Sequence, residues 1–189
     1  MKAARTMLGV LMLFGFAHLA GTMSLRPPAS AQGQEAKART DAAYHEKIRA
    51  HAEDMHRMIM SGDLDGFITY MHPTVVAQMG GTAGVKELIQ PGLAEMRNQI
   101  EKMTLGTISH VVAETEGLAA FVSVEMIMRI QGTRILLRSY YVAFSKDEGV
   151  SWTFLSSQGK PEQDEFVKQL FPKLTSEIAI PKCEMRGVK

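Results

Sequence analysis

The stretch LAAFVSVEMIMRIQ, residues 118–131, decides the fold. Taken two apart, Leu118, Ala120, Val122, Val124, Met126, Met128 and Ile130 make a wholly apolar row. The row between them, Ala119, Phe121, Ser123, Glu125, Ile127, Arg129 and Gln131, is mixed. A period of two belongs to a strand, whose successive side chains leave on opposite faces. The apolar row therefore predicts a surface packed on helices. The mixed row predicts a face that is partly wet or covered by another subunit.

Strands continue on either side of it. Gln131-Gly132 is a tight turn into a strand over 133–145, and Asp147-Glu148-Gly149 leads into another over 150–157. Upstream, Glu116-Gly117 joins a strand over 105–114. Short turns of this kind make antiparallel hairpins, so the second half of the chain reads as a four-stranded meander.

The first half has helical spacing. Tyr44, Ile48, Ala52, Met55 and Ile59 share one face of a helix over 40–60. Ser61-Gly62-Asp63 interrupts the chain, and a short helix follows over 64–71. His72-Pro73 ends it, because proline disfavours the helical conformation in the residue before it. Residues 74–79 read as a short strand, Gly80-Gly81 as a turn, and 83–103 as a third helix kinked at Pro91-Gly92. After the meander, Pro161 starts a short helix to Phe171, with Glu162, Asp164 and Glu165 in its first turn. Residues 177–180 read as a last short strand. Helices on one side of an antiparallel sheet define an α+β fold.

Residues 1–31 have the pattern of a secretory signal. Lys2 and Arg5 precede an uncharged apolar run over 7–16, and Ala29-Ser30-Ala31 fits a cleavage site before Gln32. An uncleaved N-terminal anchor is the alternative, because the approach to that site is long and carries Arg26 and two prolines. The expected plan is a signal peptide over 1–31, a linker over 32–40, one domain over 41–158, and a C-terminal helix and tail over 159–189. The destination is then periplasmic or extracellular. Removing Lys2, Arg5 and Arg26 leaves 18 basic residues against 20 acidic ones, a charge of −2. That balance gives no general attraction to nucleic acid or anionic lipid. No partner in the membrane is expected once the leader is cut. Cys183, the one cysteine, allows no internal disulfide.

Motifs for chemistry are scarce. There is no G-x-S-x-G, no P-loop and no dinucleotide fingerprint. His45, His51 and His56 are spaced six and five apart, not three or four, and His45 and His56 share a face but lie about 16 Å apart along the axis, so no metal and no cofactor is expected. Residues 145–152 match S-x-D-x-G-x-x-W, a hairpin turn in which Asp147 bonds nearby backbone, Gly149 takes the special conformation and Trp152 packs. Glu125 and Arg129 share the mixed face and are expected to form ion pairs there. Met58, Met60, Met71, Met79, Met126 and Met128 sit in apolar contexts, as core filler or as the wall of an adaptable cavity.

Four features mark a resemblance. They are Ser-Gly-Asp-Leu-Asp-Gly-Phe at 61–67, Tyr-Met-His-Pro at 70–73, the Gly80-Gly81 pair, and the meander ending in Trp152-Thr153-Phe154. In that order, over residues 42–157, the chain resembles the nuclear-transport-factor-2-like superfamily, the SnoaL-like and ketosteroid-isomerase-like cone fold. The resemblance implies a curved antiparallel sheet wrapped by three N-terminal helices, an apolar pocket in the cone, and a homodimer through the sheet face. It implies pocket positions at Tyr44, Tyr70, His72, Gln78, Met79, Tyr140 and Trp152. The isomerase-like members carry a carboxylate on the short strand before the third helix. Residues 74–79 here, Thr-Val-Val-Ala-Gln-Met, contain no acid, so that chemistry does not carry over. The expected function is an exported, non-catalytic domain that binds a small apolar molecule. The alternatives are an association module of the cell envelope and an isomerase- or cyclase-like enzyme using His72 and a strand tyrosine as acid and base.

Overall fold

The alternating stretch is strand β3 (Gly117–Ile130), paired without a break to β4 (Thr133–Ser145), from Leu118 opposite Ser145 to Ile130 opposite Thr133. The computed structural model describes residues 31–188, with side chains from residue 41. The chain divides into Met1–Arg39 and Thr40–Lys189, and the sheet and core lie in the second unit. The expected signal peptide lies outside the described residues except for Ala31. Among the described residues, no helix is long and apolar enough to cross a membrane.

The sheet is six-stranded, antiparallel and curved. Its central path is β1 (Ile100–Ile108), β3, β4 and β5 (Thr153–Ser157); β2 (Val112–Glu114) also pairs with β3, and β6 (Glu184–Gly187) with β4. β1 has register shifts after Ile100 and after Leu105, and irregularities of this kind bend a strand. The α+β class and the antiparallel meander are as the sequence predicts.

Four helices precede the sheet, where three were expected. They are α1 (Ala31–Ser61), α2 (Leu64–Thr69), α3 (Pro73–Gln78) and α4 (Gly81–Gln99). α3 replaces the short strand read over 74–79. Thr74, Val75 and Val76 have strand propensity, but His72 and Pro73 form a helix start. The His72 ring accepts a hydrogen bond from the Thr74 N–H, and Pro73 supplies a preset first-turn φ. α1 begins at Ala31 and so includes the expected linker, whose Ala, Gln, Glu and Lys residues are good helix formers. α4 ends at Gln99, four residues earlier than expected, because Ile100 to Leu105 pair with β3. The strand read over 105–114 is therefore split between β1 and β2.

The C-terminal region also differs. α5 (Pro161–Leu170) is followed by a second helix, α6 (Pro172–Glu177). The last strand lies at Glu184–Gly187 rather than over 177–180.

The core has two layers, one on each face of the sheet. On the helix-facing side, Ile48, Ala52 and Met55 of α1 pack on Ala120, Val122, Val124, Tyr141, Ala143, Trp152 and Phe154. On the other side, Ala119, Phe121, Tyr140, Val142, Phe144 and Leu155 pack on Val167, Phe171 and Leu174. Val167, Phe171 and Leu174 recur at helical spacing, and all three are buried. Half of the mixed face is thus covered by this chain's own α5 and α6. Each large side chain enclosed there contributes roughly 1.5–3 kcal/mol of apolar transfer.

Candidate functional site

Residues 145–152 form the expected turn. Asp147 accepts hydrogen bonds from the Ser145 hydroxyl at 2.8 Å, the Ser151 N–H at 2.9 Å and the Ser151 hydroxyl at 2.6 Å. Those donors, the Ser151 hydroxyl foremost, hold its carboxyl well below the usual carboxylate range. Gly149 sits at φ +82°, and a Cβ there would run into the Tyr44 ring. The Trp152 indole N–H donates to the Gly149 carbonyl at 3.3 Å. The Asp147 carboxylate, the Ser145 and Ser151 hydroxyls and the Trp152 indole N–H are all engaged within the turn, so these groups act as fold hardware.

The seven expected pocket positions do not meet in one cavity. Tyr44 stacks edge-on against buried Trp152 on the helix-facing side. Tyr70 packs on the same layer, and its hydroxyl donates to Asp54 at 3.5 Å. His72 and Tyr140 lie on the opposite face. The His72 ring, 4% exposed, is wedged between Phe144 and Phe171. The Tyr140 hydroxyl donates to Asp164 at 2.7 Å. Gln78 and Met79 end α3, with Gln78 exposed and Met79 half-buried. Burial, with a smaller push from Lys146, lowers the His72 pKa to about 4. His72 is a neutral capping residue, and the backbone around it is pinned to the β5 edge. The His72 N–H donates to the Phe154 carbonyl at 3.0 Å, and the Phe154 N–H to the Tyr70 carbonyl at 2.7 Å.

A different pair lies between α1 and the sheet. His56 Nε2 and the Tyr141 hydroxyl are 3.0 Å apart. His56 is 9% exposed and Tyr141 6%. Burial lowers the His56 pKa to about 4 and raises that of Tyr141, so both are neutral near pH 7. The sequence spacing argues against a metal role for His56 and leaves it as a solvated or helix-packing residue, without a partner assigned. Its inward position was available from spacing: it follows Ala52 by four residues and Met55 by one, on the buried stripe of α1.

His56 also borders an open cleft of about 300 Å³ between α1 and the start of β1, with Glu53, Arg57, Met60, Glu101, Lys102 and Met103. Met103 begins a cross-strand row. It pairs with Met126, Met126 with Leu137, and Leu137 with Met185 of β6. Paired residues share a face, so this row crosses the helix-facing surface through four strands. The adjacent row is Ile100, Met128, Ile135 and Gly187. Met103, Met126, Met128, Ile135 and Leu137 are only half-buried, and Met185 is 57% exposed. A second cleft of about 420 Å³ is lined by Tyr44, Leu118, Lys146 and three glutamates, Glu114, Glu116 and Glu148.

The other face of this sheet end is charged. Glu101 pairs with Arg129 at 2.5 Å and Arg134 at 2.8 Å. Arg138 pairs with Glu125 at 2.7 Å and Glu184 at 3.2 Å. The ion pairs expected on the mixed face are present. Among the described residues, no group of three or more His, Cys, Asp or Glu is placed to hold a metal. Cys183 is a free thiol, half-buried beside Gly159.

Comparison with protein-family models, curated proteins and solved structures finds no match to this chain.

Proposed function

We propose that this chain is an exported member of the nuclear-transport-factor-2-like superfamily. On this reading it binds a small apolar or amphipathic molecule on the helix-facing surface of its sheet, without catalysis. The observation that carries the reading is the row Met103–Met126–Leu137–Met185, left half-open beyond the closed core. Methionine is flexible and polarisable, so such a surface adapts to apolar ligands of varied shape. The His56 cleft at the Met103 end adds a neutral imidazole and the charges of Arg57, Lys102, Glu53 and Glu101. A ligand with an apolar body and a polar head fits that gradient.

The helix-before-meander order supports the family reading, and the leader pattern supports export. Cleavage after Ala31 would leave α1 intact but for its first residue. Catalysis by His72 with a strand tyrosine is disfavoured. The His72 ring accepts from Thr74, Tyr140 is engaged by Asp164, and Tyr141 lies on the other face with His56.

Native mass spectrometry of the protein purified from its own export compartment tests this reading. The expected result is a chain starting at Gln32 that carries a small apolar molecule. An apolar fluorescent probe should bind the emptied protein, and Met126→Lys should weaken it roughly tenfold or more, about 1.4 kcal/mol. Protein that is always empty, with probe binding unchanged in Met126→Lys, overturns the proposal.

A further inference from the structure

The sheet edges are treated differently. The outer edge of β5 is closed by the Tyr70–His72 segment, through the two backbone hydrogen bonds with Phe154 and a bridge at Met71. β1 is broken by two register shifts. β6 pairs in continuous register with β4, and among the described residues no strand pairs with its other side. All four of its residues are exposed. Bare, regular edges are sites where another strand can add.

The ladder fixes which groups face outward. The Val188 N–H donates to the Arg134 carbonyl at 2.9 Å, in the same register as Arg186 opposite Leu136 and Glu184 opposite Arg138. In an antiparallel ladder, alternate residues bond to the same neighbour. Residues 184, 186 and 188 therefore bond to β4, and the N–H and C=O of Met185 and Gly187 point away from it.

We infer that β6 is the contact between two copies of this chain, joined edge to edge and antiparallel about a two-fold axis at Met185. The sequence Glu184-Met185-Arg186 is complementary to itself in this arrangement. Met185 of one copy meets Met185 of the other as a hydrogen-bonded pair. Glu184 of each copy then falls opposite Arg186 of its mate, in the closer, non-hydrogen-bonded position. Two opposite-charge pairs flank a methionine pair, and a closed two-fold contact uses the same patch twice. The pairing also joins the two apolar rows, so Met103–Met126–Leu137–Met185 continues into its mirror sequence in the second copy. This edge differs from the sheet face, half of which α5 and α6 cover. The inference does not rest on ligand binding.

Sedimentation velocity on the full chain, from micromolar to submillimolar concentration, tests it through charge reversal. The wild type should dimerise. Arg186→Glu puts Glu opposite Glu, and Glu184→Arg puts Arg opposite Arg; each alone should weaken association at least tenfold. An equimolar mixture of the two variants should restore the dimer, because every pair is again opposite in sign. Glu184→Arg also loses its contact with Arg138, and both variants lose the Arg186–Glu184 contact at 3.6 Å within the strand, so Met185→Pro is a second probe. It removes the outward N–H and side chain while leaving the β4 hydrogen bonds, and should also give monomer. A wild type that stays monomeric, or a dimer that survives both Arg186→Glu and Met185→Pro, overturns the inference. Single variants that lose association with no recovery on mixing also overturn the charge register.

Discussion

Strands β3 and β4 pass through two environments. Around Ala119–Val124 and Tyr140–Phe144 the sheet is buried on both faces, by α1 on one side and by α5 and α6 on the other. Past Glu125 and before Arg138 the pairing continues unbroken, but the side chains are methionines on one face and ion pairs on the other. Backbone hydrogen bonding is therefore equal along the strands while burial is not. Stability is concentrated in the closed half, and the open half is free to make contacts with other molecules.

The largest expected effect tests that division at its strongest point. Phe171 joins α5 to α6, is 1% exposed and packs on His72 and Phe144. Phe171→Ala should cost about 3–5 kcal/mol, and Trp152→Ala on the other layer a similar amount. Met126→Ala in the open half should cost only about 1 kcal/mol, since less surface is removed from water there. Urea unfolding midpoints of the three variants check the comparison. Equal costs would mean that the two halves are not energetically distinct.

The next effect is a pH dependence from two buried histidines, His72 in the closed half and His56 at its border with the open cleft. Unfolded histidine takes up its proton near 6.5, but buried His56 and His72 do so only near 4. Between those values the unfolded chain binds more protons, so stability is full above about pH 6.5 and falls as the pH drops toward 4. Full protonation costs on the order of 3 kcal/mol for each ring. Asp147 acts in a lower window: its depressed carboxyl contributes stability above its ordinary value of 3.8 and loses it on further acidification. A His56→Gln, His72→Asn double variant should lose most of the fall in unfolding midpoint between pH 6.5 and about 5 and keep the fall below it, where Glu101 and Asp147 also titrate. Asn at 72 can still cap α3. A slope unchanged in the double variant would assign the titration to other groups.

Legibility in the sequence follows the same division. The period-two row of β3, the helical stripe of α1 and the 145–152 turn are local patterns, and each is present as read. α3 was misread because three β-branched or small residues outweighed a histidine cap that only the folded geometry reveals. β6 was placed too early because Glu-Met-Arg-Gly, with one apolar residue between opposite charges and a glycine, carries no strand signal until β4 lies beside it. At the site, Met126 and Met128 were legible only as two of six methionines in apolar contexts. Their row with Met103, Leu137 and Met185 was not, because register between strands distant in sequence is set by pairing and not by spacing. The His56–Tyr141 pair joins residues 85 apart and has the same cause.

The smallest expected effect concerns the ion pairs, which would break the comparison if they proved strong. Arg138 bridges Glu125 of β3 and Glu184 of β6, and Glu125 foremost raises its already high pKa. The side chain is 44% exposed, so water and salt screen these contacts, and exposed pairs are worth about 0–1 kcal/mol. Arg138→Ala should therefore change the unfolding midpoint by less than about 1 kcal/mol, and the difference should shrink in higher salt. Measuring the variant at two ionic strengths separates charge from packing. A large, salt-insensitive loss would mean that the Arg138 stem seals the sheet as Phe171 does, so that the open half is built for stability. A small, screened loss leaves the charged face as solvated cover, with hydrogen bonding to β4 holding β6 in place and its outer edge free.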